Sequence, residues 1–508
     1  MMKRAIEQRM AIAVGIAFGS ALPVAGAAGA GPDVVLCQLY SLGEPSAFSG
    51  GGRDLDSGTV GLTAATRSRN IGTANLNWYT PYPEGSGDPR HPFISLNMYR
   101  LLNGRFEQIG VNFPKHGYFA TSDTDCDNDA LTCSGVPAGN QLGVGCDDLY
   151  SAGNNASRPY LGPRFEINPW TGVWDPSTSV LYDYGSIEAD NYAERRLRVK
   201  ESDLTTFTAT VNPTGVMYFY EAMYITADDV NAANNAGWKQ VTAISFNGTR
   251  WTLSSSGATT APNAGWAIDA WTIHAGARQT LVAQQLPIVD NVPQNPAETW
   301  SPDGRAIIAS KVSPNGDGTF RYEYAVMNVD MDRQIGSFRI PVPCGVQVTN
   351  VGASGVMHWN EPTHVVGGKA IDNTPWAGTL ADGAVTWSTP AIEDEEPSNP
   401  IRWGMLFNFW FDASTDKQDG MATIGLFKPP PPGGPVAVFG MIDTPTMACP
   451  GDADCDFIVT FGDVIEILSN FGAVYLPGSG EAGDSNNDGD VDFDDVLETL
   501  ANFNQDCL

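Results

Sequence analysis

Several runs in the body of the chain have the composition or the two-residue alternation of β-strands. Two such runs flank Asn103-Gly104 within 94–113, and this dipeptide is typical of a tight hairpin. Three further strand-like runs lie at 215–225, 318–330 and 402–413. Helical periodicity is scarce in this part of the chain, where only 226–236 indicates a short helix, capped by Thr226. The pattern therefore predicts a mainly β body.

The C-terminal part of the chain contains an internal duplication. "GDADCDFIVTFGDV" (451–464) is followed 32 residues later by "GDSNNDGDVDFDDV" (483–496). Behind each acidic run, apolar residues recur at helical spacing: Val464, Leu468 and Phe471 in the first copy, and Val496, Leu500 and Phe503 in the second. The duplication predicts two loop-helix units within 449–508.

The spacing of oxygen-bearing residues in each copy suits a calcium loop. Ca²⁺ takes about six to eight oxygen ligands, and a twelve-residue loop supplies them from positions 1, 3, 5 and 12 and from the backbone carbonyl at position 7. These positions are Asp452, Asp454, Asp456, Asp463 and the carbonyl of Ile458 in the first loop, and Asp484, Asn486, Asp488, Asp495 and the carbonyl of Asp490 in the second. We therefore predict two Ca²⁺ sites.

The second loop follows the calcium-loop pattern more closely than the first. The sharp turn at position 6 has Gly489 in the second loop but Phe457 in the first, where Cys455 holds position 4. A left-handed backbone at Phe457 would store strain on the order of 1 kcal/mol, so we expect the first site to be weaker or to close differently. The alternative is a solvated acidic tail. Because 449–508 contains no Lys or Arg, such a tail would fold poorly without a cation.

With its duplicated loops, 449–508 resembles a type I dockerin domain, a small all-α module whose calcium loops end in Asp, as they do here at Asp463 and Asp495. The resemblance implies docking to a cohesin-like module, or to another envelope protein. It also implies that the ends of the module lie side by side, so that Cys449 or Cys455 bonds to Cys507.

The same resemblance assigns partner binding to loop positions 10 and 11. Many cellulosomal members carry a Ser-Thr pair there. In this chain the positions hold Phe461-Gly462 and Phe493-Asp494. The partner is therefore expected to differ from the usual cohesin.

The first residues and the cysteines indicate export. Residues 1–30 read as a signal peptide, with a basic start, an apolar run and two A-x-A cleavage sites. All eight cysteines follow this segment, and an even number in an exported chain favours disulfides, with Cys126 and Cys133 able to close a small loop. No later stretch has the length and apolarity of a membrane span. We expect a secreted or cell-surface protein.

The charge of the chain narrows the classes of partner. The formal net charge is −30, with 28 Lys and Arg against 58 Asp and Glu. So negative a surface argues against nucleic acid and anionic membrane as main partners and favours calcium or basic partners.

Composition and pattern divide the chain into five segments. These are a signal peptide at 1–30, a β-rich domain at 31–293, an immunoglobulin-like β-sandwich at 294–428, a Pro/Gly linker at 429–448 and the duplicated module at 449–508. The β-rich domain is expected to be a second sandwich or part of a propeller. Through "MYRLLNGRFEQIG", "KHGYFA" and "LGVGCDDLYSAGNNAS", the body resembles exported planctomycete-type proteins, a resemblance that implies no activity.

The body offers only weak candidates for chemistry. It has no G-x-S-x-G, H-E-x-x-H or phosphate-loop motif. His358, Glu361 and His364 lie close in sequence, but Pro362 excludes a helical metal motif. Asp123, Asp125, Asp127 and Asp129 suit either a calcium-stabilised loop or an acidic surface loop pinned by a disulfide. Glu221 and Glu323 stand among aromatic residues, where a raised pKa would suit a glycosidase acid.

The sequence supports three hypotheses. The first is a secreted, calcium-binding, dockerin-bearing protein whose β body binds extracellular polysaccharide or matrix. The second is a carbohydrate-active hydrolase carried by the same module, although the catalytic residues are unknown. The third is a structural surface protein whose tail only stabilises or anchors it.

Overall fold

The computed structural model describes residues 31–45, 52–80, 89–126, 131–181, 191–255, 261–287, 300–357, 371–394, 396–430 and 434–507. The predicted signal peptide, the cluster from His358 to His364, and the carboxylates of Asp127 and Asp129 lie outside these residues.

The first part of the body is built from short and medium strands. In chain order they are β1 (Val34–Leu39), β2 (Arg53–Asp54), β3 (Thr59–Leu62), β4 (Thr66–Asn70), β5 (Leu76–Asn77), β6 (Phe93–Leu102), β7 (Arg105–Val111), β8 (Lys115–His116), β9 (Gln141–Leu142), β10 (Asp147–Tyr150), β11 (Leu197–Lys200), β12 (Met217–Ile225), β13 (Ala236–Phe246), β14 (Trp251–Ser255) and β15 (Asn263–Ala264). Two short helices are α1 (Ala152–Asn155) and α2 (Asp269–Ala275), and 3-10 turns lie at Arg158–Tyr160, Arg164–Glu166, Glu201–Asp203 and Ala232–Asn234.

One ten-stranded antiparallel sheet dominates this part, with the order β14-β13-β12-β6-β7-β11-β3-β2 and with β15 and β8 pairing at its side. A three-stranded sheet, β1-β4-β10, and the pair β5-β9 complete it. The hairpin predicted at Asn103-Gly104 is confirmed, since both residues have positive φ between β6 and β7. A continuous ten-stranded sheet is not a set of four-stranded blades, so the propeller alternative is wrong.

The helix predicted at 226–236 is also wrong. The segment forms a single 3-10 turn and then enters β13 at Ala236. Asp229 accepts hydrogen bonds from the backbone N–H of Asn231 (3.1 Å) and from the side chain of Asn235 (2.6 Å). Such local side-chain bonds compete with helical backbone bonds.

The second part of the body is a sandwich of two five-stranded sheets. Its strands are β16 (Arg278–Pro287), β17 (Trp300–Pro314), β18 (Phe320–Asn328), β19 (Ile335–Pro341), β20 (Val348–Gly355), β21 (Ala377–Ala381), β22 (Ala384–Ser388), β23 (Met405–Ala413), β24 (Lys417–Leu426) and β25 (Ala437–Pro445). The sheet orders are β16-β17-β18-β23-β20 and β21-β22-β19-β24-β25. Side chains from both sheets, including Tyr324, Phe338, Trp387 and Phe409, share one core.

The predicted segment boundaries need correction at both ends of this sandwich. β16 pairs with β17 along its length, so the sandwich begins before residue 294. β25 pairs with β24 from Ala437 to Pro445, which places a strand inside the segment predicted to be a linker. The prolines near 430 therefore precede an edge strand, and the spacer to the module is shorter than predicted.

The two parts of the body pack against each other through a buried layer. Phe106 and Phe219 of the large sheet share a core with Ile307, Met327 and Leu406 of the sandwich. Nearby, the buried guanidinium of Arg164 donates to the Trp403 carbonyl (3.1 Å) and to the Asn97 side chain (2.9 Å), which in turn donates to Glu221. This junction joins the two parts into a continuous structure.

The C-terminal residues carry two longer helices, α3 (Phe461–Asn470) and α4 (Phe493–Ala501), separated by the second acidic loop. They enclose a small core with Ile467 and Val491. No helix in the described part of the chain has the length and apolarity needed to cross a membrane.

Four disulfides are present: Cys37–Cys126, Cys133–Cys146, Cys344–Cys455 and Cys449–Cys507. The small loop that Cys126 and Cys133 could close is not formed, because each bonds to a more distant cysteine. Of the two partners considered for Cys507, the structure has Cys449. Cys455 instead links the first acidic loop to the sandwich.

Candidate metal centres

Each acidic loop ends inside the first turn of a helix. Thr460 caps α3 and Asp492 caps α4, and the third helical residues, Asp463 and Asp495, accept hydrogen bonds from the cap backbone. This reciprocal capping fixes the carboxylate at position 12 of each loop. One oxygen of Asp463 bonds to the N–H of Thr460 (2.7 Å), and the other turns back to the start of its loop, where it accepts from Ala453 (2.7 Å).

The position-1 carboxylates organise the loops in the same way. Asp452 accepts from the backbone N–H groups of residues 456 (3.1 Å) and 457 (2.9 Å). Asp484 accepts from the corresponding groups of residues 488 (3.1 Å) and 489 (3.0 Å). The side chains at positions 3 and 5 also receive equivalent backbone bonds in both loops. The duplication seen in sequence is therefore repeated in hydrogen bonding.

Each loop forms one short β-bridge with a segment that follows a helix, and the two bridges are equivalent in the two copies. Ile458 at position 7 bridges to Asp506, and Asp490 at position 7 bridges to Val474, 32 residues earlier than Asp506. The carbonyls at position 6 and position 8 accept backbone bonds in both loops. Among the described residues, the carbonyl at position 7 accepts none. It is the backbone oxygen that the calcium-loop pattern reserves for the ion.

The loops also share their unusual backbone conformations. Position 4 has φ of +62° at Cys455 and +63° at Asn487, and position 6 has +70° at Phe457 and +99° at Gly489. The first loop therefore adopts the left-handed turn at Phe457, which a bulky residue rarely does. A different closure of the first loop is not observed. Phe457 packs against the sandwich, since a Cβ on Gly345 would lie 2.8 Å from its ring.

The electrostatics of the loops favour a bound cation. Asp452, Asp463, Asp484 and Asp495 are all fully buried, and their segment contains no Lys or Arg. Burial first, and then the neighbouring Asp495, raises the pKa of Asp484 to about 7. Burial and Asp463 likewise raise the pKa of Asp452. Buried like charges are unfavourable unless a counter-charge lies between them.

The donor set fits calcium. Asp452, Asp454 and Asp463 each place a carboxylate oxygen within 4.8 Å of the others. All donors in both loops are oxygens, which suits a hard cation such as Ca²⁺ and not the nitrogen and sulfur preferences of zinc.

The helices present a repeated apolar surface, which we call the twin stripes. Phe461, Ile465, Leu468 and Phe471 are 52–64% exposed in the first copy, and their counterparts Phe493, Leu497, Leu500 and Phe503 are 42–63% exposed in the second. The residues predicted to bind a partner, Phe461, Gly462, Phe493 and Asp494, lie at the start of these stripes. Ile465 and Leu497 were not among the predicted residues, although helical spacing from Phe461 and Phe493 places them on the same face.

The module is fixed to the body by more than its chain connection. The Cys344–Cys455 disulfide ties position 4 of the first loop to the turn after β19. The N–H of Met421 on β24 donates to the carbonyl of Pro477 (2.7 Å), and Gly480 lies against Pro343. Sequence reasoning missed this attachment, because cysteines 111 residues apart carry no local signal of their pairing.

The acidic loop near Asp123 has its own counter-charge. Asp123, Asp125 and Asp147 cluster within 4.8 Å, but the guanidinium of Arg67 pairs with all three, at 3.4 Å and 2.8 Å for the first two. Arg67 thus occupies the place that a calcium ion would take. Of the two alternatives, the structure favours a disulfide-pinned acidic loop.

The two carboxyls considered for glycosidase chemistry are both engaged in structural contacts. Glu221 is buried and accepts from Asn97 (2.9 Å) and from the backbone of Ala267 (2.7 Å), and burial raises its pKa to about 6. Glu323 forms a two-pronged ion pair with Arg105, at 2.8 Å for each oxygen.

No family model matches this chain, and no curated protein matches it either.

Proposed function

We propose that this protein is an exported, calcium-dependent docking protein, in which 449–508 is a dockerin-like module that binds two Ca²⁺ ions and presents the twin stripes to a partner. The observation that carries the proposal is the set of buried aspartates repeated in both loops, each set accompanied by a position-7 carbonyl that accepts no backbone hydrogen bond in the described structure. Calcium would neutralise these charges and hold the loops against which α3 and α4 pack. Four disulfides are in keeping with an oxidising compartment.

The twin stripes support docking to a protein partner. Eight large apolar side chains, six of them on α3 and α4 and two just after the helices end, lie at equivalent positions in the two copies and are each more than 40% exposed. Contiguous exposed apolar surface of this kind marks interaction sites. A cohesin-like module or another envelope protein is the proposed occupant, and the β body would bind polysaccharide or matrix.

The test is a calorimetric titration of the intact, oxidised, calcium-stripped chain with Ca²⁺, with bound ions counted by native mass spectrometry. The whole chain is needed because Cys455 is bonded to the body. We expect two ions per chain, and one ion in the variant Asp484→Asn/Asp495→Asn. The matched control is Asp490→Asn, which should keep both ions because position 7 contributes its backbone carbonyl. Absence of calcium binding, or equal losses in both variants, would overturn the proposal.

The hydrolase hypothesis has weaker support. A cavity of about 170 Å³ between β7 and β20 is lined by both Glu107 and Asp203. Both carboxylates are paired with Arg100, at 2.8 Å and 3.4 Å. An acid held in an ion pair is a poor proton donor, so this arrangement does not favour a glycosidase.

A further inference from the structure

Lys115 is a buried lysine without an acidic partner in the described structure. It lies on β8, opposite Ile94 of β6, and the residue as a whole is only 2% exposed. Its Nζ stands 4.1 Å from the centre of the Tyr160 ring and 4.9 Å from that of Tyr118. Within the described residues it forms no hydrogen bond or salt bridge. The ring faces offset part of the desolvation cost, but the described residues offer no hydrogen-bond acceptor to the three N–H donors, which face the pocket.

Lys115 lines a pocket of about 210 Å³ on the first part of the body. The pocket is smaller than the roughly 300–1,000 Å³ typical of drug-sized ligands, and therefore suits a single small ring. Tyr118 and Phe119 supply aromatic walls, and Thr121 and Asn154 supply polar groups at the rim. Phe119 has φ of +62° and is 54% exposed, a strained conformation of the kind that is concentrated at ligand sites.

The nearby carboxylate does not compensate the lysine. Asp148 also lines the pocket, but its oxygens accept from the backbone and hydroxyl of Thr121, both at 2.8 Å, and from the indole of Trp78 at 2.9 Å. Burial lowers the pKa of Lys115 to about 7, as expected for an amine without a counter-ion. The pocket therefore combines an unmatched cationic group with aromatic walls.

We propose that this pocket binds a single sugar-acid residue, with its carboxylate accepting hydrogen bonds from Lys115 Nζ and its ring lying against Tyr118 and Phe119. A charge-assisted bond would supply the acceptor that the ammonium lacks. Stacking on aromatic faces is a common way of holding a ring with one apolar side. The inference concerns the body and goes beyond the calcium-dependent docking proposed above.

The charged and titratable groups around Lys115 set the pH dependence. His116 follows it on β8, and burial, together with neighbouring His91 and Lys115 itself, lowers the pKa of His116 well below its ordinary value. Asp148 lies across the pocket, with its pKa raised by burial to about 6. The hydroxyls of Tyr118, Tyr150 and Tyr160 are further titratable groups nearby. Arg195 is a further cation, and it donates to the carbonyl of Leu161, the residue that forms a β-bridge with Lys115. A bound carboxylate favours the protonated amine, so above pH 7 its affinity should fall by up to about tenfold per pH unit.

The test is a calorimetric titration of the intact chain with D-glucuronate and with its neutral isostere D-glucuronamide. Each titration is run in two buffers with different enthalpies of ionisation, because the difference between the observed binding enthalpies gives the number of protons taken up on binding. We expect glucuronate to bind with proton uptake near pH 8, and glucuronamide to bind at least about tenfold more weakly. Equal affinities, no binding of either probe, or binding without proton uptake would overturn the proposal.

Variants locate the site. Lys115→Met should abolish glucuronate binding, and Asn154→Ala, at an exposed rim position, should weaken it without a risk to folding. Lys200→Met, at an exposed lysine outside this pocket, is the matched control and should bind as the native chain does. Retained binding in both pocket variants would contradict the assignment. Repeating the glucuronate titration with a calcium chelator shows whether this pocket binds independently of the proposed metal centres. A failure of glucuronate binding would leave the result of the calcium titration unchanged, so the two proposals can fail separately.

Discussion

The bond between Cys344 and Cys455 should decide how firmly the C-terminal module, residues 449–508, is held in its folded form. The perturbation is Cys344→Ser/Cys455→Ser, which removes the link between the first loop and the sandwich. When only the module unfolds, β25 still ends at Pro445, so the bond closes a loop of the ten residues 446–455. The chain-entropy relation then gives about 2.7 kcal/mol for local unfolding. For unfolding of the whole chain, cysteines 111 residues apart give about 4.8 kcal/mol.

The assay is amide hydrogen exchange of the calcium-loaded chain, followed by mass spectrometry for peptides from α3 and α4. A loss of 2.7 kcal/mol corresponds to exchange about 100-fold faster through local unfolding. The variant Cys133→Ser/Cys146→Ser is the control, because that bond lies in the body and should leave α3 and α4 unchanged. Unchanged exchange in the first variant would refute the reasoning and would show that contacts such as Met421 with Pro477 hold the module alone.

Three further predictions concern single sites. Gly489→Ala places a side chain at φ of +99°, so the second site should lose about 1–2 kcal/mol of calcium affinity, measured by calorimetry, and an unchanged affinity would contradict the role of the turn. Phe461→Ser/Phe493→Ser should change the free energy of unfolding in urea by less than about 0.5 kcal/mol, because both rings are more than 60% exposed. The same variant should lose calcium-dependent capture of a partner. Glu221→Gln removes the buried carboxylate that Arg164 reaches through Asn97, which weakens a hydrogen-bond network with charged members, and unfolding in urea should show a loss of about 1–3 kcal/mol. A loss below 1 kcal/mol, about the typical effect of a mutation, would contradict this electrostatic role.

The sequence was most informative where structure is local. The dipeptide Asn103-Gly104 predicted its hairpin because a two-residue turn needs positive φ at both residues. The alternating run at 402–413 predicted a strand and became β23. Predictions failed where side chains met over longer distances. Cys126 is near enough in sequence to Cys133 to close a small loop with it, but the fold brings Cys37 to Cys126 from 89 residues away.

The candidate site was also only partly visible in the sequence. The positions of the loop aspartates followed from their spacing, since a calcium loop draws its protein ligands from twelve consecutive residues. The pairing of the two loops through Ile458 with Asp506 and Asp490 with Val474 depends on how the copies pack. The neutralisation of Asp123 and Asp147 by Arg67 was hidden for the same reason, because the arginine lies on a different strand.

The sequence by itself determined the strand periodicity, the duplicated acidic loops and the helices that follow them, because each of these depends on residues within about a dozen positions of one another. Only the tertiary structure decided which cysteines bond, where the sandwich begins and ends, and which buried charges have partners. Those outcomes depend on contacts between distant segments. The disulfide from Cys344 to Cys455 shows the difference most directly, since it joins a body and a module that the sequence presents as separate.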